Sequence, residues 1–465
     1  MPLRYIFPWF DRSSVKWSAD ARVLRWLTLL WLLFGLVVLC TASYVTAATD
    51  NADGFYYLKR QFAWAWIGMV LFNLIIHTPI RFVIGMAHWF LLLCLLLIFL
   101  THVPGMGATV NGATRWLVLG PISLQPSELI KPFLVLQGAR IFSQWERLPV
   151  PVRWRWLGTF ALVLGAILTQ PNLSTASLCG MLLWLIALAA GLPLKQLGGT
   201  ALAGFLLAVL SVSRNEYQWL RITSFLDPWS NTQGDSYQLV QSLLAIGSGG
   251  MTGTGFGLSQ QKMFYLPFQY TDFIFAVFAE EFGLIGGILL LLMLAVYATM
   301  GLRVALKASR DVHQLVAIGA IILLIGQSIL NIAVSTGSMP TTGLPMPMMS
   351  YGGNSILASL MAAALLIRVA RESSNRNVIE PSRFSLKQLN SKAPGQEPDQ
   401  NLAEFSRPGY CTSLKMGEAA LFNHRCGALC LVRDVLCWKP YKLDFIFWSN
   451  GPMAKCSNSL TTSQF

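Results

Sequence analysis

Charged residues are scarce in this sequence: only 12% of its 465 residues are Asp, Glu, Lys or Arg. Soluble domains carry about twice that share of charge. The chain is 54% hydrophobic, and its apolar residues fall in runs of roughly 15 to 25, close to the length that a helix needs to cross a bilayer. Together these features exclude an ordinary soluble domain and indicate a polytopic helical membrane protein.

Several motifs that would point to other functions are also missing. The eight cysteines form no disulfide framework, and the net charge of +13 comes without a dense basic patch, so we expect no nucleic-acid partner. The glycine-rich stretch 247–257 lacks the Gly-Lys-Ser/Thr ending of a P-loop and predicts a tight turn against a ligand or another helix. His424, Cys426 and Cys430 match no zinc spacing well, so we assign no metal site.

About ten apolar runs are present, and they predict an all-α polytopic membrane protein with about ten transmembrane helices. An aromatic-rich loop at 213–272, between spans seven and eight, is predicted to be extracytoplasmic and functional. The predicted domains are a basic N-terminus at 1–22, a transmembrane domain at 23–371, and a disordered or aberrant tail at 372–465. The runs lie at about 24–48, 62–79, 83–101, 127–141, 157–169, 173–192, 197–212, 273–300, 315–334 and 355–369.

The distribution of Lys and Arg predicts the orientation of the spans. Threading ten spans places most cations at one end of the bundle, and the positive-inside rule makes that end, with both termini, cytoplasmic. Loops at about 102–126, 213–272 and 335–354 then face outward. The uncharged, Pro- and Gly-rich 335–354 loop is predicted to dip back toward the membrane, buried in protein or lining a cavity. The few outward cations are Lys59, Arg60, Arg115, Arg214, Arg221 and Lys262.

One carboxylate, Asp272, stands in an aromatic run at 265–275, where the large loop meets the eighth span. Thr271 or Asp272 is expected to cap the helix that begins at Phe273, because both residue types are favoured there. Asp272 is also a candidate general base, since aromatic neighbours would desolvate it and raise its basicity. These two interpretations are compatible.

Four of the charged residues within apolar runs are further candidates for a functional site. Glu128 and Lys131 are three residues apart, so they share a helix face and can form an ion pair. The sequence leaves open whether this pair is structural or part of a site. Glu280 and Glu281 are functional candidates because ionisable groups are costly inside a membrane, although a paired structural role is equally compatible.

The outward cations indicate the chemistry of the ligand. Arg115, Arg221 and Lys262 lie on the same predicted side as Asp272. The segment 350–355 enters the last span, and Asn354 or Ser355 is expected to cap that helix, whose N-terminus would face outward. Arginine can hold a phosphate through two hydrogen bonds, although Arg115 could equally sit in the headgroup layer. The outward cations and the outward helix N-terminus together suit an anionic, phosphorylated amphiphile as the ligand.

Taken in chain order, the motifs resemble the SEDS family of bacterial membrane proteins, the group that contains FtsW, RodA and SpoVE. Each motif alone is weak, whereas their order along ten spans is specific, and the resemblance covers roughly residues 20–371. The matching motifs are Asn111-Gly112-Ala113 with Arg115-Trp116, Gln125-Pro126-Ser127-Glu128 with Lys131, Gln170-Pro171, Tyr237-Gln238 with Gln241-Ser242, Ala245–Gly250, Thr271–Phe275 with Glu280–Gly283, Asn331, Pro340-Thr341, and Ser350–Gly353.

The resemblance implies a peptidoglycan glycosyltransferase that polymerises lipid II on the outer face of the cytoplasmic (inner) membrane. Asp272 matches the family's essential outer-loop aspartate, which resembles a general base for the acceptor sugar's 4-hydroxyl. The departing undecaprenyl pyrophosphate needs positive charge, supplied by arginine and lysine or by a divalent cation, Mg or Mn. The implied substrate-binding residues are Arg115, Glu128, Lys131, Arg221, Lys262, Gln241, Ser350 and Tyr351.

The implied partners are a class B penicillin-binding protein, which supplies the transpeptidase, and other divisome membrane proteins at the division septum. Pro340-Thr341 and the stretch 56–61 favour the division branch of the family, whereas Leu344-Pro345 leans toward the elongation branch. A lipid II flippase and a scaffold that only recruits the transpeptidase are the alternative functions.

The sequence also departs from the family pattern beside the candidate base. Phe268 and Tyr270 stand where the family usually has Glu and His, Asn172 stands where it has Asp, and Asn354 replaces a Ser. If Asp272 is the base, aromatic desolvation and nearby cations must tune it without the usual Glu and His.

Overall fold

The computed structural model describes residues 17–110, 113–120, 122–234 and 236–377. His424, Cys426 and Cys430, most of the tail and most of the basic N-terminus lie outside the described residues. The described part is a helical bundle with one small sheet. Its helices are α1 (Ala19–Asn51), α2 (Tyr56–His77), α3 (Ile80–Leu100), α4 (Pro126–Phe142), α5 (Val150–Leu168), α6 (Leu173–Ala189), α7 (Leu194–Arg214), α8 (Glu216–Leu226), α9 (Tyr237–Gly249), α10 (Ile274–Lys307), α11 (Asp311–Ser335) and α12 (Gly353–Asn377).

Each predicted span coincides with one long helix, namely α1 to α7 and α10 to α12, so the predicted fold class is confirmed. Within the described residues, six of these helices are long and apolar enough by themselves to cross a membrane: α1, α3, α7, α10, α11 and α12. The charged helix α4 and α6 each have 17 residues. The last helix continues to Asn377, past the predicted start of the tail at residue 372.

Contacts between helix ends define two ends of the bundle. At one end, called the Lys307 end, Lys307 pairs with Asp20 at 2.7 Å, so the end of α10 meets the start of α1. At the other, called the Asp272 end, the Gln269 side chain donates a hydrogen bond to the Thr46 hydroxyl at 2.9 Å, so the segment before α10 meets the end of α1. Helices α1 and α10 therefore run antiparallel to each other.

A three-stranded antiparallel sheet between α3 and α4 is an element that the sequence analysis did not predict. Its strands are β1 (Gly107–Val110), β2 (Ala113–Leu119) and β3 (Ile122–Leu124), in the order β1-β2-β3. Gly107 pairs with Leu117, and Leu117 pairs with Leu124. The sequence between β1 and β2 is Asn111-Gly112, the pair that tight hairpins favour, so a local signal for a hairpin was present.

The segment between α11 and α12 penetrates the bundle, as predicted for this loop. Leu344, Met346, Met348 and Met349 are all buried. A side chain at Gly35, in the middle of α1, would collide with the Met348 carbonyl. Non-helical backbone at this depth is tolerated because it is enclosed by protein.

The glycine-rich stretch 247–257 packs against a break in α10. Gly283 interrupts α10 with φ +65° and ψ −166°, which leaves backbone groups of that helix without helical partners. The loop pairs with them: Thr254 and Gly255 donate to the carbonyls of Glu280 and Glu281, and Leu284 and Ile285 donate to those of Gly250 and Met251. The stretch thus packs on another helix, one of the two arrangements expected from its sequence.

Candidate active site

Asp272 lies in a tight turn immediately before α10. The Phe268 carbonyl accepts hydrogen bonds from the amides of Thr271 and Asp272, both at 3.1 Å, and Phe268 itself adopts φ +55°. The N-cap residue of α10 is Phe273, which makes no side-chain capping bond, and the Thr271 hydroxyl donates to the Phe268 carbonyl. The prediction that Thr271 or Asp272 caps this helix is therefore wrong, because the turn places the cap one residue later.

The surroundings of the Asp272 carboxylate raise its pKa to about 6. Burial is the largest cause, since it disfavours the charged form. The positive charges of Arg221 and Arg115 act in the opposite direction, and the negative charge of Glu128 adds to the rise. A carboxylate with this pKa is largely ionised at neutral pH and is more basic than an exposed aspartate, as a general base requires.

Two arginines from different parts of the chain are anchored near Asp272 by backbone carbonyls. Arg221 of α8 donates through Nη1 to the Thr341 carbonyl at 3.0 Å. Arg115 of β2 donates to the carbonyls of Gln170 and Pro171, at 3.2 and 2.6 Å. The sheet and α8, neither of which was predicted as an element, are what bring these two predicted residues to the carboxylate.

Glu128 and Lys131 form the ion pair that their spacing predicted. Lys131 Nζ lies 2.6 Å from Glu128 Oε1, and both side chains are buried in the first turns of α4. Lys131 also donates to Gln327 Oε1 at 3.1 Å, and Gln327 Nε2 donates to the Pro345 carbonyl at 2.6 Å. The pair is thus joined to the segment between α11 and α12.

Lys262, one of the implied substrate-binding residues, is engaged in a contact within the protein. It forms a buried ion pair with Glu281, with Nζ and Oε1 2.8 Å apart, and it is not among the charges that act on Asp272. Glu280 accepts hydrogen bonds from the Ser259 hydroxyl and the Gln260 amide. These contacts support the structural interpretation of Glu280 and Glu281, which tie the loop to α10.

Ser350 and Tyr351 contact the turn that carries Asp272. The Ser350 hydroxyl donates to the Thr271 carbonyl, and the Tyr351 amide donates to the Tyr270 carbonyl at 2.8 Å. The rings of Tyr351 and Tyr270 both pack on Tyr57 of α2, with centroids 5.1 and 4.7 Å from its ring. Both predicted substrate-binding residues therefore hold the protein's own backbone in place beside the carboxylate.

Gln241 is a predicted site residue that no hydrogen bond of the described residues joins to Asp272. It lies half-buried on α9, and the structure gives it no hydrogen bond to the Asp272 turn within the described residues. Its neighbour Ser242 donates to the Ser335 carbonyl at 2.8 Å, which attaches α9 to the end of α11.

The sequence analysis missed residues that support the site rather than line it. Gln327 was not singled out, and Tyr57 and Gln61 were noted only as part of the stretch 56–61. Gln61 donates to the Ser350 carbonyl at 3.2 Å and accepts from the Gly352 amide at 3.1 Å. A buried amide in an apolar helix is costly unless it is hydrogen-bonded. Gln61 and Gln327 could therefore have been predicted from the sequence to bind other polar groups.

No ligand set for a metal ion emerges in the part of the chain that the structure describes, because nowhere in it do three His, Cys, Asp or Glu side chains converge. Near Asp272, the other carboxylate, Glu128, is already paired with Lys131. A divalent cation therefore stays a prediction from the resemblance, without assigned ligands.

Comparisons with known proteins agree with the sequence motifs. The model of the FtsW, RodA and SpoVE family, described as "Cell cycle protein", matches residues 21–375. The probable peptidoglycan glycosyltransferase FtsW of Synechocystis is 54% identical over 377 residues, 81% of this chain and 96% of the relative. The putative peptidoglycan glycosyltransferase FtsW of Mesostigma viride is 50% identical over 81% of this chain and 90% of the relative.

Solved structures show the same similarity. A chain of a peptidoglycan synthase complex is 29% identical, with a TM-score of 0.61, and the match covers 75% of this chain and 97% of that one. The rod shape determining protein RodA of Thermus thermophilus is 28% identical, with a TM-score of 0.57, over 79% of this chain and 99% of that one. A family match over most of the chain and relatives of 50% identity or more lead to one conclusion: the chain belongs to the FtsW/RodA/SpoVE family.

Proposed function

We propose that this protein is a peptidoglycan glycosyltransferase that polymerises lipid II on the outer face of the cytoplasmic membrane, with Asp272 as the general base. The relatives that carry the name peptidoglycan glycosyltransferase support the activity. The observation that carries the role of Asp272 is its place: a desolvated carboxylate with a pKa of about 6, at one end of the bundle, under the influence of two arginines.

The proposed step is a single displacement. The Asp272 carboxylate takes the proton of the acceptor sugar's 4-hydroxyl, and that oxygen forms a bond to the donor's anomeric carbon. The bond from this carbon to the diphosphate breaks, and undecaprenyl pyrophosphate leaves with the electron pair. Attack from the face opposite the leaving group inverts the anomeric centre.

Arg115 and Arg221 are the candidates for stabilising the negative charge that develops on the diphosphate. Each has its guanidinium oriented by backbone carbonyls, which lowers the entropy lost when it binds a ligand. Lys131 and Lys262 are weaker candidates, because each is already neutralised by a buried glutamate.

The division branch is favoured over the elongation branch because relatives named FtsW are 50% identical or more. A class B penicillin-binding protein at the septum is the partner that goes with this branch.

The flippase alternative needs charged groups available along a path through the bundle. Its candidates, Glu128, Lys131, Glu280 and Glu281, are all buried and engaged in ion pairs or hydrogen bonds. A lipid II polymerase is therefore a better proposal than a flippase.

The test is polymerisation of purified lipid II by the full-length protein with its penicillin-binding protein partner. We expect Asp272→Asn to lower the rate by about 100-fold or more, because the amide cannot accept the proton. Asp227→Asn, which changes an exposed carboxylate at the end of α8, is the matched control and should have little effect. Unchanged polymer yield from Asp272→Asn would falsify the catalytic role, and lipid II transfer across vesicles without any polymer would favour the flippase.

A further inference from the structure

Two buried amide side chains of α11 hold backbone carbonyls of the segment at 339–347, and one of them also binds the turn that carries Asp272. Asn331 Nδ2 donates to the Asp272 carbonyl at 2.7 Å and to the Leu344 carbonyl at 2.9 Å. One turn earlier, Gln327 Nε2 donates to the Pro345 carbonyl at 2.6 Å. Consecutive carbonyls of an irregular segment are thus held by successive turns of one helix.

Gln327 and Asn331 reach this segment from a helix whose register changes just before them. A π turn at Ile322–Gly326 precedes Gln327. The extra residue of a π turn rotates everything after it by about 100° relative to a regular α-helix. Because Gln327 and Asn331 are four residues apart, they stay on one face, and the π turn directs that face at the 339–347 segment.

The position of this segment decides what surrounds the Asp272 carboxylate. Gly343 has φ +68°, and a Cβ at this residue would lie 3.4 Å from Asp272 Oδ2. The next two residues are those held by Asn331 and Gln327, and Thr341 on the other side is held by Arg221. A shift of the segment would therefore open the space beside the carboxylate and move an arginine that acts on it.

We propose that Gln327 and Asn331 are positioning residues of the glycosyl-transfer site, which fix the 339–347 segment and the Asp272 turn relative to each other. Their use of uncharged donors is part of the role, since amides hold carbonyls in place without adding a charge beside the base. Gln327 also accepts from Lys131, so the buried Glu128–Lys131 pair stabilises the same arrangement. This inference rests on the proposed function of Asp272.

The test compares Asn331→Ala and Gln327→Met with Ser328→Ala in the full-length protein. Gln327→Met keeps the length of the side chain and adds no charge, but it loses the donor to Pro345 and the acceptor for Lys131. It is the second variant should Asn331→Ala fail to fold. Ser328 is the control because it is buried on the same helix and donates only to the Leu324 carbonyl within that helix.

We expect both variants to lower kcat about tenfold with KM changed less than about twofold. We also expect the acid limb of the pH–rate profile to move to lower pH, since water entering beside Gly343 would bring the pKa of Asp272 down from about 6 toward its ordinary value. Deuterium uptake of peptides covering 339–347 and 268–273 should become faster. Ser328→Ala should leave the acid limb and the uptake unchanged.

A fall in rate with an unmoved acid limb and unchanged deuterium uptake would overturn the positioning role, because a loss of folded protein alone produces that result. The Asp272→Asn assay separates this failure from failure of the proposed function. If Asp272→Asn abolishes polymerisation while folded Gln327 and Asn331 variants match the Ser328 control, only the positioning inference is wrong. Deuterium uptake also tests the positioning inference independently of any enzymatic activity.

Discussion

At Asp272, two opposing influences set the basicity of one carboxylate. Full burial raises an aspartate pKa by up to about 3 to 5 units, whereas a neighbouring arginine lowers it by about 1 to 3 units. Here burial is the larger influence, and the pKa settles at about 6 rather than near 4. Activity that needs the ionised base should therefore be lost as the pH falls through about 6 and be retained above it.

Arg221 offers a direct check of this balance. Arg221→Gln removes the largest influence that lowers the Asp272 pKa, so the acid limb of the pH–rate profile should move upward by about one unit. Arg221→Lys keeps the positive charge, so its acid limb should lie close to that of the unsubstituted protein. The measurement is the rate of lipid II polymerisation between pH 5 and 9.

Arg214→Gln is the matched control, because Arg214 is exposed at the end of α7 and does not act on Asp272. Loss of a diphosphate contact alone would lower the rate at every pH without moving the limb. A limb that stays in place in Arg221→Gln would therefore contradict the electrostatic account of Asp272.

Residue types and spacing were enough to predict some of the site but not its internal contacts. Arg115, Arg221 and Glu128 all act on the Asp272 carboxylate in the structure. The Glu128–Lys131 pair follows from helical spacing. Lys262 was expected among the cations near the ligand, and it instead pairs with Glu281. That pairing joins residues 19 positions apart across a loop, and no local pattern predicts which buried partner a cation will find.

Among the elements, α10 and the glycine-rich loop depend on each other. Gly283 combines φ +65° with ψ −166°, a conformation that is essentially restricted to glycine. The loop supplies four hydrogen bonds to the backbone around this break, so each element satisfies polar groups of the other inside an apolar bundle.

Gly283→Ala should destabilise the protein by about 3 kcal/mol, because a Cβ there is strained and would lie 2.3 Å from the Gly253 amide nitrogen. Gly287→Ala is the matched control: it lies in the same helix, and nothing lies within 4 Å of its Cβ position. Thermal unfolding in detergent measures both variants. Equal unfolding temperatures would show that the break in α10 does not need glycine.

The lengths of the apolar runs predicted all the long helices of the described part, but the short elements were not predicted. The sheet, α8 and α9 lie in loops whose hydrophobic pattern is too short to show a period. Yet β2 carries Arg115 and α8 carries Arg221. The predicted spans thus supply the scaffold, and the unpredicted elements orient two of the charges at the candidate base.

For the whole molecule, the bundle has two chemically different ends. The Lys307 end collects Arg81, Arg310 and the Arg368–Glu372 pair, whose atoms lie 2.6 Å apart. The Asp272 end has few cations, and two of them are directed at the site. The positive-inside rule then predicts that the Lys307 end faces the cytoplasm and the Asp272 end faces outward.

This orientation can be measured with two serine-to-cysteine substitutions at exposed positions, Ser230→Cys near the Asp272 end and Ser309→Cys at the Lys307 end. In spheroplasts, a membrane-impermeant maleimide should label Ser230→Cys at once and Ser309→Cys only after permeabilisation. The unsubstituted chain, with its eight native cysteines, gives the background. The reverse pattern would place Asp272 on the cytoplasmic side, and polymerisation on the outer face by this carboxylate would then be excluded.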